Sequence, residues 1–211
     1  MSTKNILAVY NLASVADTQQ GQSWYARALV FAEELSDQYD LETTTIVGVI
    51  ASLSPRNRWE RNMQDAESMV KAYAAGGDYD DLLKLKVCTF NTGKEKAAKI
   101  LTEAISNRDE LLATLKGPKL QEFFNCILGD SGDVCIDGHA YSIWAGDRIT
   151  LANVPSIGKK LRQTIKTDYK AAAKLLGVKP HVVQAITWVT WRRLHNVWSV
   201  NTHYTFNSIA I

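Results

Sequence analysis

The stretch Thr43 to Leu53, TTTIVGVIASL, is apolar on every side once wound into a helix. A helix with no polar face cannot rest on a surface, so other elements must wrap it. Its longest apolar run, Ile46 to Leu53, is far short of the roughly 20 residues that a membrane span requires. Thr43–Leu53 is therefore a central buried helix, and Ser54-Pro55 ends it because the residue before a proline avoids helical geometry. The rest of the chain must supply its shell. With 211 residues, 46% of them hydrophobic and 22% charged, there is material for one large or two-lobed domain, and a disordered chain is excluded.

That shell reads as helices. Asp17 can cap a helix running through Tyr39, with Trp24, Ala28, Phe31, Ala32 and Leu35 at helical spacing. Arg58 to Ala74 is amphipathic and stops at Gly76-Gly77, and Asp78 to Leu83 is one short turn. Thr92 is placed to cap Gly93 to Ile105, carrying Lys94, Lys96 and Lys99 outward. Arg108 to Thr114 is short, and Pro118 suits the first position of a helix reaching Leu128. Asp137 is placed to cap Gly138 to Ala145. Ser156 to Leu176 and Pro180 to His195 follow, the latter ending in Trp188, Trp191, Arg192 and Arg193. Short β-like segments are expected at Cys88–Phe90 and near the C-terminus, with no sheet. The expected fold class is all-α, with the N-terminal segments (1–40) packed on the helices of 156–196. Residues 1–211 form a single domain with its cleft between an acidic N-terminal layer and a basic hairpin layer.

The net charge of +2 hides a polarity. Residues 1–82 hold 6 Lys/Arg against 12 Asp/Glu, residues 83–120 hold 8 against 4, residues 121–145 hold none against 4, and residues 146–211 hold 10 against 2. Basic segments flanking an acidic stretch suit a polyanion, although a solvated face would read the same way. Three cysteines with no CxxC pair (Cys88, Cys126, Cys135) fit buried or half-buried thiols rather than a disulfide framework or a zinc or iron–sulfur site. Neither a metal nor an organic cofactor is implied. Met1 to Asn11 carries one lysine and no cleavage-type region, so a soluble cytoplasmic protein without membrane contact is the expectation.

Two places carry chemistry. Leu111 to Leu120 reads as two helices joined at a glycine turn, where free backbone N–H groups favour a phosphate. Asp137 lies eighteen positions beyond Lys119, a distance that one helix and a turn can fold back over. An amine that attacks a sugar carbon, beside a carboxylate that stabilises positive charge on that sugar, can cut an N-glycosidic bond. On residue types alone, Asp137 is equally an ordinary N-cap and Lys119 an ordinary surface lysine.

Four segments in order add to this. They are Val49-Ile50-Ala51-Ser52-Leu53-Ser54-Pro55, Phe90-Asn91-Thr92-Gly93-Lys94-Glu95-Lys96-Ala97, Leu115 to Leu120, and Ile136-Asp137-Gly138-His139-Ala140. Together, over roughly residues 46 to 145, the chain resembles the helix–hairpin–helix DNA glycosylase superfamily, the group of endonuclease III-like enzymes. It is similar to a divergent member, of the compact kind that bacteriophages encode. The hairpin departs from the family's glycine–hydrophobic–glycine turn, with Leu115 and Lys116 ahead of Gly117 and Pro118 after it. The cysteine cluster of some members is absent.

The resemblance implies a two-lobed helical glycosylase-like fold, with hairpin and catalytic region at about 108–146, acting as a monomer on duplex DNA with a flipped nucleotide. It implies Lys119 as nucleophile and Asp137 as catalytic carboxylate. Arg56, Asn57 and Arg58 follow the buried helix, where members insert a side chain into the duplex. Lys116, Gly117, Lys94, Lys96, Arg192 and Arg193 are further DNA-binding candidates, and Trp24, Tyr25, Trp59 and His139 are candidates for a base pocket. Two other functions stay open. One is a phage hypermodification enzyme that joins an amine or amino acid to an activated pyrimidine on the same fold. The other is a non-catalytic DNA-binding module.

Overall fold

A computed structural model describes residues 2–196, and every regular element among them is a helix. Over the described residues the fold is therefore all-α. It divides into two compact units, and α2 (Val15–Tyr39) passes from one into the other. The first unit holds the chain up to Ala32 together with Lys116–Leu194, and the second runs from Glu33 to Leu115.

The second unit is built on α3 (Thr43–Leu53), as its sequence demands. Nine of its eleven residues are buried, and Ile46, Val47, Val49, Ile50 and Leu53 are wholly so. Burying each such side chain is worth about 1.5–3 kcal/mol. Around α3 lie α4 (Trp59–Ala74), α6 (Asn91–Thr102) and α7 (Arg108–Leu115), with α5 (Tyr79–Lys84) on α4 and α6. Thr44 and Thr45 fix the register by donating to the carbonyls of Ser106 and Ile105.

The first unit packs α1 (Ser2–Asn11) against α9 (Gly138–Ala145), α10 (Lys159–Leu176) and α11 (Pro180–Leu194). Its core gathers Ile6, Ile136, Ile143, Ile165, Tyr169 and Val183. Thr3 donates to Asp168 at 2.9 Å and Asn5 to the Trp144 carbonyl at 3.0 Å, tying the first helix to α10 and α9. α8 (Pro118–Leu128) begins at Pro118 and ends at Gly129, whose left-handed φ of 72° closes the helix. Among the described residues, no helix is long and apolar enough to cross a membrane.

Five local expectations are corrected. Asp17 does not start α2: Ser14 does, because its hydroxyl accepts from Asp17 N–H at 3.1 Å while Asp17 Oδ2 accepts from Ser14 N–H at 2.8 Å. This reciprocal box leaves Asp17 in the first turn. Thr92 is not the cap of α6, which starts at Asn91 behind Phe90 with no side-chain cap. α10 starts at Lys159 rather than Ser156, behind Gly158. Cys88 and Thr89 lie in a bend and Phe90 in no regular element, so there is no strand here, and Cys88 is exposed rather than buried or half-buried. The β-like segment expected near the C-terminus lies outside the described residues.

Candidate active site

Asp137 caps α9, as its position before Gly138-His139-Ala140 requires. Its Oδ1 accepts from Ala140 N–H at 2.8 Å. Oδ2 has no hydrogen-bond partner among the described residues, so a half-buried carboxylate keeps one oxygen for other work. Lys119 is exposed in the first turn of α8. The buried thiol of Cys135 links the two elements by donating to the Lys119 carbonyl at 3.9 Å, two residues before Asp137. Burial pushes both the Cys135 and the Cys126 thiols well above the usual range, so neither is a thiolate nucleophile.

Two residues beyond Asp137, His139 joins a wall of aromatic rings in the first unit. The His139 ring meets Trp188 edge-on at 6.3 Å, and Trp188 meets Trp24 at 5.0 Å. The Arg192 guanidinium lies over the Trp188 ring, 4.4 Å from its centre, a cation–π contact. One position beyond Trp24 on α2, Tyr25 is buried between Phe123 at 6.2 Å and His181 at 5.7 Å. Burial, with the two thiols and Asp137 nearby, holds the Tyr25 phenol far above its ordinary range, so it stays a donor. It donates to Gln184 Oε1 at 2.7 Å. That bond fixes the orientation of the Gln184 amide, whose NH2 has no protein partner among the described residues.

Three of the four expected pocket residues, Trp24, Tyr25 and His139, are thus brought together with Asp137 in one unit. Trp59 belongs to the other unit, half-buried at the start of α4. Trp188, Gln184, His181 and Phe123 were not singled out as pocket residues. The signal was present: positions 181, 184, 188 and 192 fall on one stripe of a helix.

The basic candidates separate into two kinds. Arg193 donates to Asp17 Oδ2 at 2.7 Å and to the Leu12 carbonyl at 2.9 Å, joining α11 to the start of α2. Lys94 and Lys96 do not reach outward as expected. The Lys94 amine donates to the carbonyls of Leu83 and Leu85 at 2.9 and 2.8 Å, and Lys96 donates to that of Leu115. Both satisfy helix C-terminal carbonyls. Lys116 and Gly117 are exposed in the turn between α7 and α8, with left-handed φ of 42° and 101°. Arg56 is exposed with φ of 57° and lies over the exposed Phe90 ring at 5.2 Å. Asn57 is held back by Asp65, to which it donates at 2.9 Å, and Arg58 is the exposed N-cap of α4. Among the described residues, no group of three His, Cys, Asp or Glu side chains is arranged to hold a metal ion.

Over the described residues the architecture is all-α in two compact helical units, one of which holds Asp137 and the aromatic wall. The chain belongs to the family of unknown function DUF7178, whose model matches residues 1–195. No curated protein and no solved structure matches it.

Proposed function

We propose that the protein is a DNA-acting enzyme of the helix–hairpin–helix glycosylase kind, which takes a nucleotide out of the duplex and works on its base. The observation that carries this reading is the half-engaged Asp137 carboxylate beside the wall of Trp24, Trp188 and His139, linked through Cys135 to the Lys119 turn. An extruded base needs flat aromatic faces and a polar group to read its edge. The fixed Gln184 amide is a donor for a base carbonyl.

In the proposed reaction the Lys119 amine attacks the anomeric carbon. The new bond is C1′–Nζ, and the bond that breaks is C1′–N. The departing base keeps the electron pair of that bond and takes up the proton released by the amine. Asp137 stabilises the positive charge that develops on the sugar. The nitrogen lone pair then forms the C1′=Nζ bond as C1′–O4′ breaks, O4′ keeps that electron pair and takes a proton from water, and the protonated imine is hydrolysed by water or allows strand cleavage. Arg56, at a loop tip and free of the tether that holds Asn57, is the side chain offered to the space left in the duplex.

The test is borohydride trapping on duplexes with damaged, mismatched and hypermodified bases. Wild type gives a covalent adduct on at least one duplex, and Lys119→Ala gives none. Asp137→Asn keeps duplex binding and loses about 10²-fold or more in turnover. Full turnover in Asp137→Asn, or duplex binding with no change to any base, would refute the enzyme reading. A heavier nucleoside in place of free base would identify transfer rather than excision.

A further inference from the structure

Val134, Cys135 and Ile136 lead the chain into α9 without belonging to a helix, yet all three are buried. Buried backbone outside a helix or sheet must find partners for its N–H and C=O groups. Ile136 finds both on one ion pair. Its N–H donates to Glu122 Oε2 at 2.9 Å, and its carbonyl accepts from Arg162 Nη1 at 2.9 Å. The same Arg162 nitrogen meets Glu122 Oε2 at 2.6 Å. Lys166 completes the group, 2.9 Å from Glu122 Oε1 and 2.6 Å from Asp133 Oδ1, and Asn125 donates to Asp133 Oδ2 at 3.1 Å.

Side chains of α8 and α10 therefore grip both ends of the segment that delivers Asp137. Glu122 is 2% exposed. Burial raises its carboxyl above the usual range, and the Ile136 amide, Lys166 and Arg162 pull only partly the other way. Apolar residues would join two helices at less desolvation cost. What apolar residues cannot do is bond the two polar atoms of a peptide.

We propose that Glu122 and Arg162 are positioning residues for Asp137: by clamping the Ile136 N–H and carbonyl, they fix the direction in which the chain enters α9 and hence the pose of the carboxylate. The inference rests on the reading of Asp137 as the catalytic carboxylate and supplies what holds it in place. A staple that merely joined α8 to α10 would act on the whole unit evenly, whereas a clamp acts locally.

Site-resolved amide hydrogen exchange and single-turnover kinetics on wild type, Arg162→Met and Arg162→Lys separate the two. Arg162→Met speeds exchange at Ile136 and Ala140 by about tenfold or more, while Ile186 in α11 changes by less than about twofold. Its single-turnover rate falls about 10²-fold at unchanged duplex affinity, and Arg162→Lys recovers most of both losses. If Arg162→Met does not fold, Glu122→Gln is read in the same way, since it keeps an acceptor for the Ile136 amide and loses the charge. Exchange that rises evenly through α8 to α11, or turnover that persists while Ile136 opens, overturns the proposal. If wild type turns over no duplex, the glycosylase reading fails, and the exchange pattern alone still decides for or against the clamp.

Discussion

At the scale of single residues, Gly21 sets how close the wall of the site can be. A Cβ there would lie 2.5 Å from Ile186 Cα and 2.6 Å from Ile186 N, so it would strike backbone that cannot turn aside. The glycine costs α2 some helix propensity. In return α2 and α11 meet closely enough for Trp24 to reach Trp188 and for Tyr25 to reach Gln184. Gly21→Ala should lose about 1–3 kcal/mol in denaturant unfolding through overpacking. It should also alter near-ultraviolet dichroism as the tryptophan pair is pushed apart. The sequence offers the glycine in mid-helix but not its neighbour, because close approach is a property of two helices.

At the scale of elements, the start of α2 joins capping to charge. Asp17 is buried, which alone raises its carboxyl, but the Ser14 amide and the Arg193 guanidinium outweigh burial and hold it below the usual range. A carboxyl depressed in the folded state contributes stability above its unfolded pKa and loses it as pH falls through the folded value. Asp17→Asn should therefore cost about 1 kcal/mol near pH 7, and the deficit should close below about pH 4. Melting curves at both pH values read this directly, and a constant deficit would place the effect in packing. Elements with a strong local signal were legible in sequence: α3 between its apolar run and Pro55, α8 from Pro118, α9 from Asp137. The start of α2 was misplaced because Ser14 and Asp17 are both capping residues three apart, and only their reciprocal bonds decide which is the cap. The start of α6 gave no signal because it has no side-chain cap. Of the candidate site, the place of Asp137 at the head of α9 was legible, because a capping residue directly precedes Gly138. Glu122 and Arg162 were not, since a buried ion pair between distant segments leaves no spacing to read.

At the scale of the molecule, charge counted along the chain overstates what a polyanion would meet. Arg162 and Lys166 are taken by Glu122 and Asp133, Arg193 by Asp17, and Lys94 by two carbonyls. Lys116, Lys119, Lys159 and Lys160 remain exposed. Each phosphate contact adds about one unit to the slope of log affinity against log salt, so the slope counts the cations that touch DNA rather than those in the composition. On the proposed DNA-binding reading, Lys116→Gln should lower that slope by about one unit on any duplex sequence. Lys94→Gln should do the reverse, leaving the slope unchanged while unfolding shifts by about 1 kcal/mol as the carbonyls of Leu83 and Leu85 lose their donor. The two variants remove the same charge from the same basic stretch of sequence. If both lower the slope equally, long-range charge rather than contact governs binding, and the turn at Lys116–Gly117 has no special place in it.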